Sequence, residues 1–333
     1  MVQANFAHVL PTLLPAALKD NVIYSYPVIN NSHTVAVVDD FFKSSRFPKP
    51  PCPVYYVHAS EQAKSLRTVE SIVRWLLEQE AGRDTLLLGI GGGIVTDLVG
   101  LTASIYKRGM PYGLVPTTLL AQVDASIGGK CGVNFDGFKN ILGCFAGAEF
   151  VYIDPKLTAT LPDRQLRCGA AEMIKTFLLA DAESYAAAVR CFSRGTPEPD
   201  ILDTLVRRAV QIKSSIVAED YQDRGRRHIL NLGHTFAHAI EKCSDLYLHG
   251  EAVAIGISMA CDESVKEGLL QPATAAAIKK DLYSVGLPTE CDIPAAQLMK
   301  AILQDKKRSG DKQKFILLED IGKPVIWERS VSA

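Results

Sequence analysis

A short apolar run that ends in three glycines restricts most strongly how this chain can fold. The run Thr85–Ile90, TLLLGI, is apolar enough for a strand buried on both faces, and a helical pattern, IVTDLVGLTASIY, follows its glycines 91–93 directly. Strand-like runs alternate with helical patterns from about residue 20 to 155, among them HTVAVVDD and CPVYYVHA. This alternation predicts a Rossmann-like α/β domain with a mostly parallel, doubly wound sheet.

The alternation stops after Asp154. The segments DRQLRCGAAEMIKTFLLAD, ILDTLVRRAVQIKSSIVAED, HILNLGHTFAHAIEKC, EAVAIGISMACDESVKEG and ATAAAIKKDLYSVG each have a helical pattern. Only KFILLED and KPVIWER look extended, and they could form a late hairpin or pack back on the helices. We therefore predict an α/β domain over residues 1–158 and an all-helical domain over residues 159–333.

Charge and cysteine usage narrow the class of protein. A net charge of −1 gives no overall attraction to nucleic acid or to a membrane surface, and no apolar run is long enough to span a bilayer. The N-terminus has no basic stretch ahead of its apolar residues, which disfavours a signal peptide. Eight cysteines lie scattered without a CxxC pair, which is typical of reduced thiols. We expect a cytoplasmic protein with a small-molecule substrate.

Three histidines lie close together in NLGHTFAHAIEKCSDLYLHGE. His234 and His238 are four residues apart, so they share one face of a helix, and His249 and Glu251 follow after a short break. Imidazoles from two neighbouring elements are common ligands of a divalent metal. Structural histidines at helix ends are the alternative. On spacing alone, His234 and His238 are the natural ligand pair.

Polar residues beside the glycines suggest a nucleotide site. A glycine loop before a helix N-terminus suits a pyrophosphate, although it could equally be a tight turn. Asp39 ends a strand at the carboxyl edge of the sheet, where a ribose could bind. Asp97 could instead cap its helix, while Glu61 and Lys64 could open the next helix as an exposed ion pair.

A dense group of polar residues follows in YGLVPTTLLAQVDASIGGKCGVNFDGFKNILGCF. Its lysines and Asn140 could hold phosphate oxygens, and Asp124 could orient a hydroxyl or a cofactor. Further on, Glu172 and Lys175 lie among apolar residues in AAEMIK. The two residues could simply form an ion pair within one helix. Charges in such surroundings are partly buried, however, and need a partner such as a metal.

Taken together, these motifs resemble 3-dehydroquinate synthase and the wider sugar-phosphate cyclase family. The matching stretches are GGGIVTDLVG, YKRG, VPTTLLAQVDASIGGK, FKN, TLPDRQLRCGAAEMIK, NLGHTFAHAIE, LHGEAVAIG and DKK, in that order from about Glu61 to Lys307. The resemblance implies that 3-deoxy-arabino-heptulosonate 7-phosphate is converted to 3-dehydroquinate. Bound NAD would oxidise the substrate transiently, phosphate would leave, the hydride would return, and an aldol step would close the ring.

The resemblance also implies roles for individual residues. The metal, Zn2+ or Co2+, would be bound by Glu172, His234 and His249. The NAD contacts would come from Asp39, Glu61, Lys64, Gly92, Gly93, Asp97, Thr117, Thr118, Lys130, Lys139 and Thr160. The substrate contacts would come from Asp124, Lys130, Asn140, Lys175, Lys213, Arg227, Asn231, His238 and Lys306, the last chosen over Lys307. Arg108 would reach the phosphate in the neighbouring subunit of a homodimer. His238 would lie at the phosphate end, with Arg227 and Asn231 a turn earlier on the same helix.

Three departures and three alternatives accompany this hypothesis. One residue fewer separates His238 from His249 than the family pattern leads us to expect. Asp223 stands where the family usually has Glu, and NFDG replaces the commoner HPxG before FKN. The chain could be another cyclase, of the inosose or valiolone type, although His238 and the DKK lysines favour dehydroquinate synthase. A metal-dependent glycerol or alcohol dehydrogenase would not need the phosphate-binding lysines. A catalytically silent binding protein would not need every expected ligand and contact to be present.

Overall fold

The computed structural model describes residues 22–25, 33–44, 49–306 and 312–330. The chain divides between Leu157 and Thr158 into two compact units. Among the described residues, no helix is both long and apolar enough to cross a membrane.

The first unit is built on a six-stranded sheet. The described residues of the unit form the strands β1 Val22–Ile23, β2 Thr34–Asp39, β3 Val54–Val57, β4 Leu86–Gly91, β5 Tyr112–Pro116, β6 Lys130–Phe135, β7 Phe138–Phe145 and β8 Phe150–Tyr152, of which β6 and β7 lie outside this sheet. The sheet order is β1-β8-β5-β4-β2-β3, and each neighbouring pair is parallel. The predicted parallel α/β architecture is therefore confirmed. Sequence-distant strands lie side by side because parallel neighbours need crossover connections.

Helices α1 Leu66–Glu78 and α2 Gly93–Ile105 belong to this unit. Helix α1 begins later than Glu61, because residues 61–63 form a separate short 3-10 turn and Ser65 caps α1 by accepting a hydrogen bond from the Thr68 N–H. The expectation that Glu61 and Lys64 open this helix is wrong. Helix α2 begins inside the glycine loop, as predicted.

Strands β6 and β7 form an antiparallel hairpin within the polar segment. Asp136 and Gly137 connect them with φ angles of +50° and +78°. Two successive positive φ values match the right-handed twist of a hairpin, and Asp-Gly is a favoured pair for this turn. Asp136 and Gly137 of the NFDG segment therefore form the two-residue turn of this hairpin.

The second unit is mainly helical. It contains α3 Asp163–Ala180, α4 Ala182–Phe192, α5 Pro199–Glu219, α6 His234–Cys243, α7 His249–Lys266, α8 Pro272–Ser284 and α9 Ala295–Lys306, followed by β9 Lys312–Asp320 and β10 Lys323–Ser330. The last two strands pair antiparallel, so the late hairpin is confirmed. The helices agree with the predicted helical remainder of the chain.

One predicted helix is divided in two. Residues Arg226–Asn231 form a 3-10 segment, and α6 begins only at His234. Gly233 lies between them with φ of +78°, a left-handed conformation that ends the first segment. The placement of Arg227 and Asn231 on the same helix as His234 is therefore wrong.

Candidate functional site

Three ligand-type side chains from three different helices meet in the second unit. Glu172 lies in α3, while His234 and His249 are the first residues of α6 and α7. The Glu172 Oε1 atom is 3.1 Å from His249 Nε2 and 3.6 Å from His234 Nε2. One ligand atom from each residue lies within 4.8 Å of the other two. Two imidazoles and a carboxylate suit a divalent metal such as Zn2+.

Glycines allow the three helices to approach closely enough. A Cβ on Gly250 would lie 2.7 Å from the carbonyl carbon of Cys168, one turn before Glu172 in α3. A Cβ on Gly256 would lie 2.9 Å from the carbonyl carbon of Gly233, the residue before His234. Because both contacts involve backbone atoms, neither can be relieved by a side-chain rotation. Helix α7 thus contacts both other ligand-bearing elements through glycine.

The charges around Glu172 are unusual for a protein interior. Its side chain is fully buried, and the Lys175 Nζ atom lies 2.6 Å from its Oε2. Burial raises the pKa of the Glu172 carboxyl, but Lys175 and the two histidines outweigh this effect and hold the pKa well below its usual value. Glu172 is therefore a carboxylate at neutral pH, which is the form that binds a metal.

The two histidines respond differently to these surroundings. Burial, with Lys175 nearby, lowers the pKa of His234 to about 3. Burial also disfavours the charged form of His249, but hydrogen bonds to Glu172 and Glu241 outweigh it and raise the pKa to about 10. His234 is neutral across the physiological range, whereas a metal bound at His249 would displace a proton.

Two further glutamates, Glu241 and Glu251, contact residues of this cluster or next to it, but neither is one of its three ligand-type side chains. Glu241 Oε1 lies 3.3 Å from His249 Nδ1, and Glu251 accepts a hydrogen bond from the Leu248 N–H at 2.8 Å. Glu251 is also bound by Arg164, with N–O distances of 2.7 and 2.6 Å. Glu251 therefore caps the N-terminus of α7.

The other predicted substrate residues of this unit differ in exposure. Lys213 in α5 is buried, and so is Arg227, whose Nη1 donates to the Tyr221 carbonyl at 2.6 Å. Asn231 is half-buried at the end of the 3-10 segment, while His238 is exposed and its ring centroid is 5.5 Å from that of His234.

Two further predicted residues lie at the margins of this unit. Thr160 is exposed at the end of the 3-10 segment Pro155–Thr160. Lys306 is the last residue of α9, and its side chain lies outside the described residues, as does the whole of Lys307.

The glycine loop of the first unit, predicted to bind a nucleotide, has little room for side chains. A Cβ on Gly92 would lie 3.0 Å from the Thr118 methyl group, and one on Gly93 would lie 3.2 Å from the Ala125 Cβ. Thr117 is buried and donates its N–H to the Gly91 carbonyl at 2.9 Å. The absence of side chains at these glycines allows the start of α2 to pack closely against Thr118 and Ala125. Asp39 ends β2 and accepts a hydrogen bond from the Phe41 N–H at 3.1 Å.

Lys64, Asp97 and Asn140 form a polar network beside this loop. Lys64 is buried, forms an ion pair with Asp97 and donates to Asn140 Oδ1 at 2.6 Å. Burial raises the pKa of Asp97, and Lys64 opposes this shift. The alternatives of an exposed Glu61–Lys64 pair and of Asp97 as a helix cap are therefore wrong.

Sequence reasoning missed Asn134, which ties this network together. Its Nδ2 donates to Glu61 Oε1 at 2.7 Å, and its Oδ1 accepts from the Asn140 N–H at 2.9 Å. Asn140 itself has φ of +52°, a conformation that asparagine tolerates better than most residues. Asn134 opens the NFDG segment, so its position beside a turn was the available signal.

The remaining predicted residues of the first unit lie nearer the solvent. Lys130 begins β6 and is exposed, as is Lys139 in β7. Asp124 is half-buried in the π-helical turn Ala121–Ala125. Arg108 is exposed after α2, with φ of +66°. The two lysines and the arginine can meet an anionic ligand that arrives from the solvent.

Comparison with known proteins covers most of the chain. The family model for 3-dehydroquinate synthase N-terminal matches residues 54–168, and that for 3-dehydroquinate synthase C-terminal matches residues 169–308. The 3-dehydroquinate synthase of Leptospira interrogans is 40% identical over 278 residues, which are 83% of this chain and 77% of that protein. That of a Sulfurovum species is 41% identical over 276 residues, 82% of this chain and 78% of that protein.

Solved structures of related cyclases share the architecture. A 2-epi-5-epi-valiolone synthase from Streptomyces hygroscopicus with NAD+ and Zn2+ bound has a TM-score of 0.86 and 29% identity, covering 97% of this chain and 95% of that one. A 2-deoxy-scyllo-inosose synthase complexed with carbaglucose-6-phosphate, NAD+ and Co2+ has a TM-score of 0.78 and 25% identity, covering 90% and 87%.

Proposed function

Because this chain belongs to the 3-dehydroquinate synthase family, we propose that it converts 3-deoxy-D-arabino-heptulosonate 7-phosphate to 3-dehydroquinate and phosphate. The observation that carries the proposal is the fully buried Glu172 carboxylate facing two imidazoles. Two imidazole nitrogens close to one carboxylate oxygen form the ligand set of a divalent metal site. The reaction belongs to the shikimate pathway, which leads to aromatic amino acids.

We propose that the enzyme uses NAD and a divalent metal, Zn2+ or Co2+. A relative with a known structure binds NAD+ and Zn2+, and another binds NAD+ and Co2+. When bound, these groups would supply transient oxidation of a substrate hydroxyl and Lewis acidity at its oxygen. Glu172, His234 and His249 would hold the metal. The glycine loop, with Asp39, Asp97 and the threonines after β5, would hold the dinucleotide.

The chain's own polar residues have assigned roles in this proposal. Lys175, Lys213, Arg227 and Asn231 would orient the carboxylate and hydroxyls of the substrate, because buried cations and amides hold anions in fixed positions. Lys130, Asn140, His238 and Lys306 would bind the phosphate end. His238 can also accept a proton, since the unperturbed imidazole pKa lies near neutrality. Asp124 would orient a hydroxyl of the ligand.

Assembly and location complete the proposal. We infer a cytoplasmic homodimer in which Arg108 reaches the phosphate bound by the neighbouring subunit. The exposed arginine after α2 and the eight free cysteines support this inference. Sedimentation of the purified protein would test the dimer. Loss of turnover in Arg108→Ala, restored by mixing with a second inactive variant, would test the shared site.

The decisive experiment for the activity is an assay with the heptulosonate phosphate, catalytic NAD+ and Zn2+. We expect one phosphate released per substrate, formation of 3-dehydroquinate and no accumulation of NADH. NADH accumulating with an alcohol substrate would instead identify a dehydrogenase. Cyclisation of a different sugar phosphate, with the heptulosonate left unchanged, would identify another cyclase of the inosose or valiolone type.

A further inference from the structure

We propose that Glu241 is a positioning residue of the metal site, whose carboxylate holds the His249 ring with Nε2 turned toward Glu172. This inference rests on the proposed function, because it requires the cluster to bind a metal. Glu241 does not face the substrate or the metal in this assignment. It acts through His249.

The contacts of the His249 ring carry the inference. Its Nδ1 lies 3.3 Å from Glu241 Oε1, and its Nε2 lies 3.1 Å from Glu172 Oε1. A neutral imidazole has one N–H and one lone pair. When Nδ1 donates its hydrogen to Glu241, the lone pair is on Nε2, the atom that faces the other two ligands. Glu241 therefore selects the tautomer as well as the orientation that binds a metal.

The position of Glu241 in α6 explains why it can do this. It lies seven residues after His234, two helical turns along the same face. One helix thus supplies a ligand and also holds the ligand that begins the next helix. The Glu241 side chain is only 6% exposed, so water competes little for its hydrogen bond, whereas that of His249 is 35% exposed. A partly exposed ring at the start of a helix needs such a partner to stay in place.

The two histidines differ in the kind of partner they have at Nδ1. The Nδ1 atom of His234 lies 3.2 Å from the Leu232 carbonyl, a backbone group that mutation cannot remove. His249 depends on a side chain instead. Its orientation can therefore be tested by substitution, with the metal ligands themselves left intact.

The test compares Glu241→Gln and Glu241→Leu with the wild-type enzyme. Gln keeps an acceptor oxygen without the charge, whereas Leu removes the hydrogen bond. Metal-free protein would be titrated with Co2+, and Zn2+ affinity would be measured by competition with a chelator. We expect Glu241→Leu to bind about 10–100-fold more weakly, with Glu241→Gln in between, because that is the usual cost of losing a partner behind a metal ligand.

Asp281→Asn supplies the matched control. Asp281 accepts a hydrogen bond from the Tyr185 hydroxyl at 2.9 Å in the same unit, outside the metal cluster. We expect this variant to lose some thermal stability and to keep the wild-type metal affinity. We also expect excess metal to restore the kcat of Glu241→Leu, which a merely disrupted fold would not allow. If the Leu variant does not fold, Glu241→Gln against Asp281→Asn decides the question.

The outcomes separate this inference from the proposed function. Wild-type affinity and an unchanged Co2+ absorption spectrum in Glu241→Leu would overturn the role of Glu241. An equal loss of affinity in Asp281→Asn would overturn it as well. In both cases, wild-type turnover of the heptulosonate would leave the proposed function standing. A wild-type protein that binds no divalent metal would refute both.

Discussion

The carboxylate–histidine cluster of the helical unit and the exposed lysines of the α/β unit differ in how their side chains are held. Glu172 is fully buried, and glycine contacts between backbones set its distance to the histidines. Lys130 and Lys139 are exposed on a hairpin. Close backbone packing thus fixes the positions of Glu172 and the two histidines, whereas the two lysines lie at the solvent-exposed surface. Substitutions should therefore affect stability and activity in different proportions in the two regions.

The largest effect should follow loss of a metal ligand. His249→Ala removes one of three ligands, so metal affinity and turnover should fall by more than the roughly 100-fold that losing a supporting partner can cost. Metal content after dialysis and the rate of phosphate release measure this. A variant that retains stoichiometric metal would show that His249 is not a ligand.

A paired glycine substitution tests the difference in packing. Gly250→Ala places a methyl group against the Cys168 backbone, and we expect a loss of about 1–3 kcal/mol of stability together with weaker metal binding. Gly92→Ala meets the Thr118 side chain, with its methyl group nearest at 3.0 Å, so it should weaken NAD binding while costing less than about 1 kcal/mol. Urea unfolding and nucleotide titration compare them. Equal stability losses would remove the distinction.

Lys130→Ala should separate activity from stability most cleanly. The side chain is exposed, so the unfolding free energy should change by no more than about 0.5 kcal/mol. Loss of a charge-assisted contact to phosphate should lower kcat/KM by about 10-fold or more, in line with a contribution of about 1.5–3 kcal/mol. A variant that melts earlier but keeps its rate would make Lys130 structural.

The smallest predicted effect, for each unit of pH, is a change in metal affinity. The pKa of His249 is raised to about 10, so between pH 6 and 9 a bound metal must displace its proton. Affinity should rise with pH by up to about tenfold per unit, and His234, with a pKa of about 3, should add nothing. Calorimetry in buffers of different ionisation enthalpy should detect about one proton released. Release of none would contradict the raised pKa.

The raised pKa of His249 also affects the stability of the metal-free protein. A histidine whose folded pKa lies above its unfolded value stabilises the fold fully below about pH 6.5, and this stabilisation is lost as pH rises through about 10. Thermal midpoints of metal-free wild type should therefore fall between pH 7 and 10. His249→Gln should show a smaller fall, which provides the comparison.

Sequence reasoning succeeded where the information is local or carried by long motifs. Alternating apolar runs predicted the parallel sheet, and the motifs resembling cyclases singled out Glu172 and His249, which lie 77 positions apart. Reasoning failed where a contact depends on neighbours distant in the chain. Nothing near Lys64 indicates that it turns inward to Asp97, and nothing near Glu251 indicates Arg164 as its partner.

The initial pairing of His234 with His238 illustrates the limit. Helical spacing placed both rings on one face, and this is correct, since their centroids are 5.5 Å apart. Spacing cannot say which ring faces a carboxylate on another helix. The structure brings His234 and His249 to Glu172 and leaves His238 exposed.

Apolar periodicity and glycine placement in the chain were enough to predict the fold class, because both act through the backbone of the segment that contains them. The burial of Glu172, the break before α6 at Gly233 and the contact between His249 and Glu241 depend on how the helices pack. Packing decides them because backbones meet where glycines permit, and each buried charge must then find its partner among whatever lies within about 4 Å.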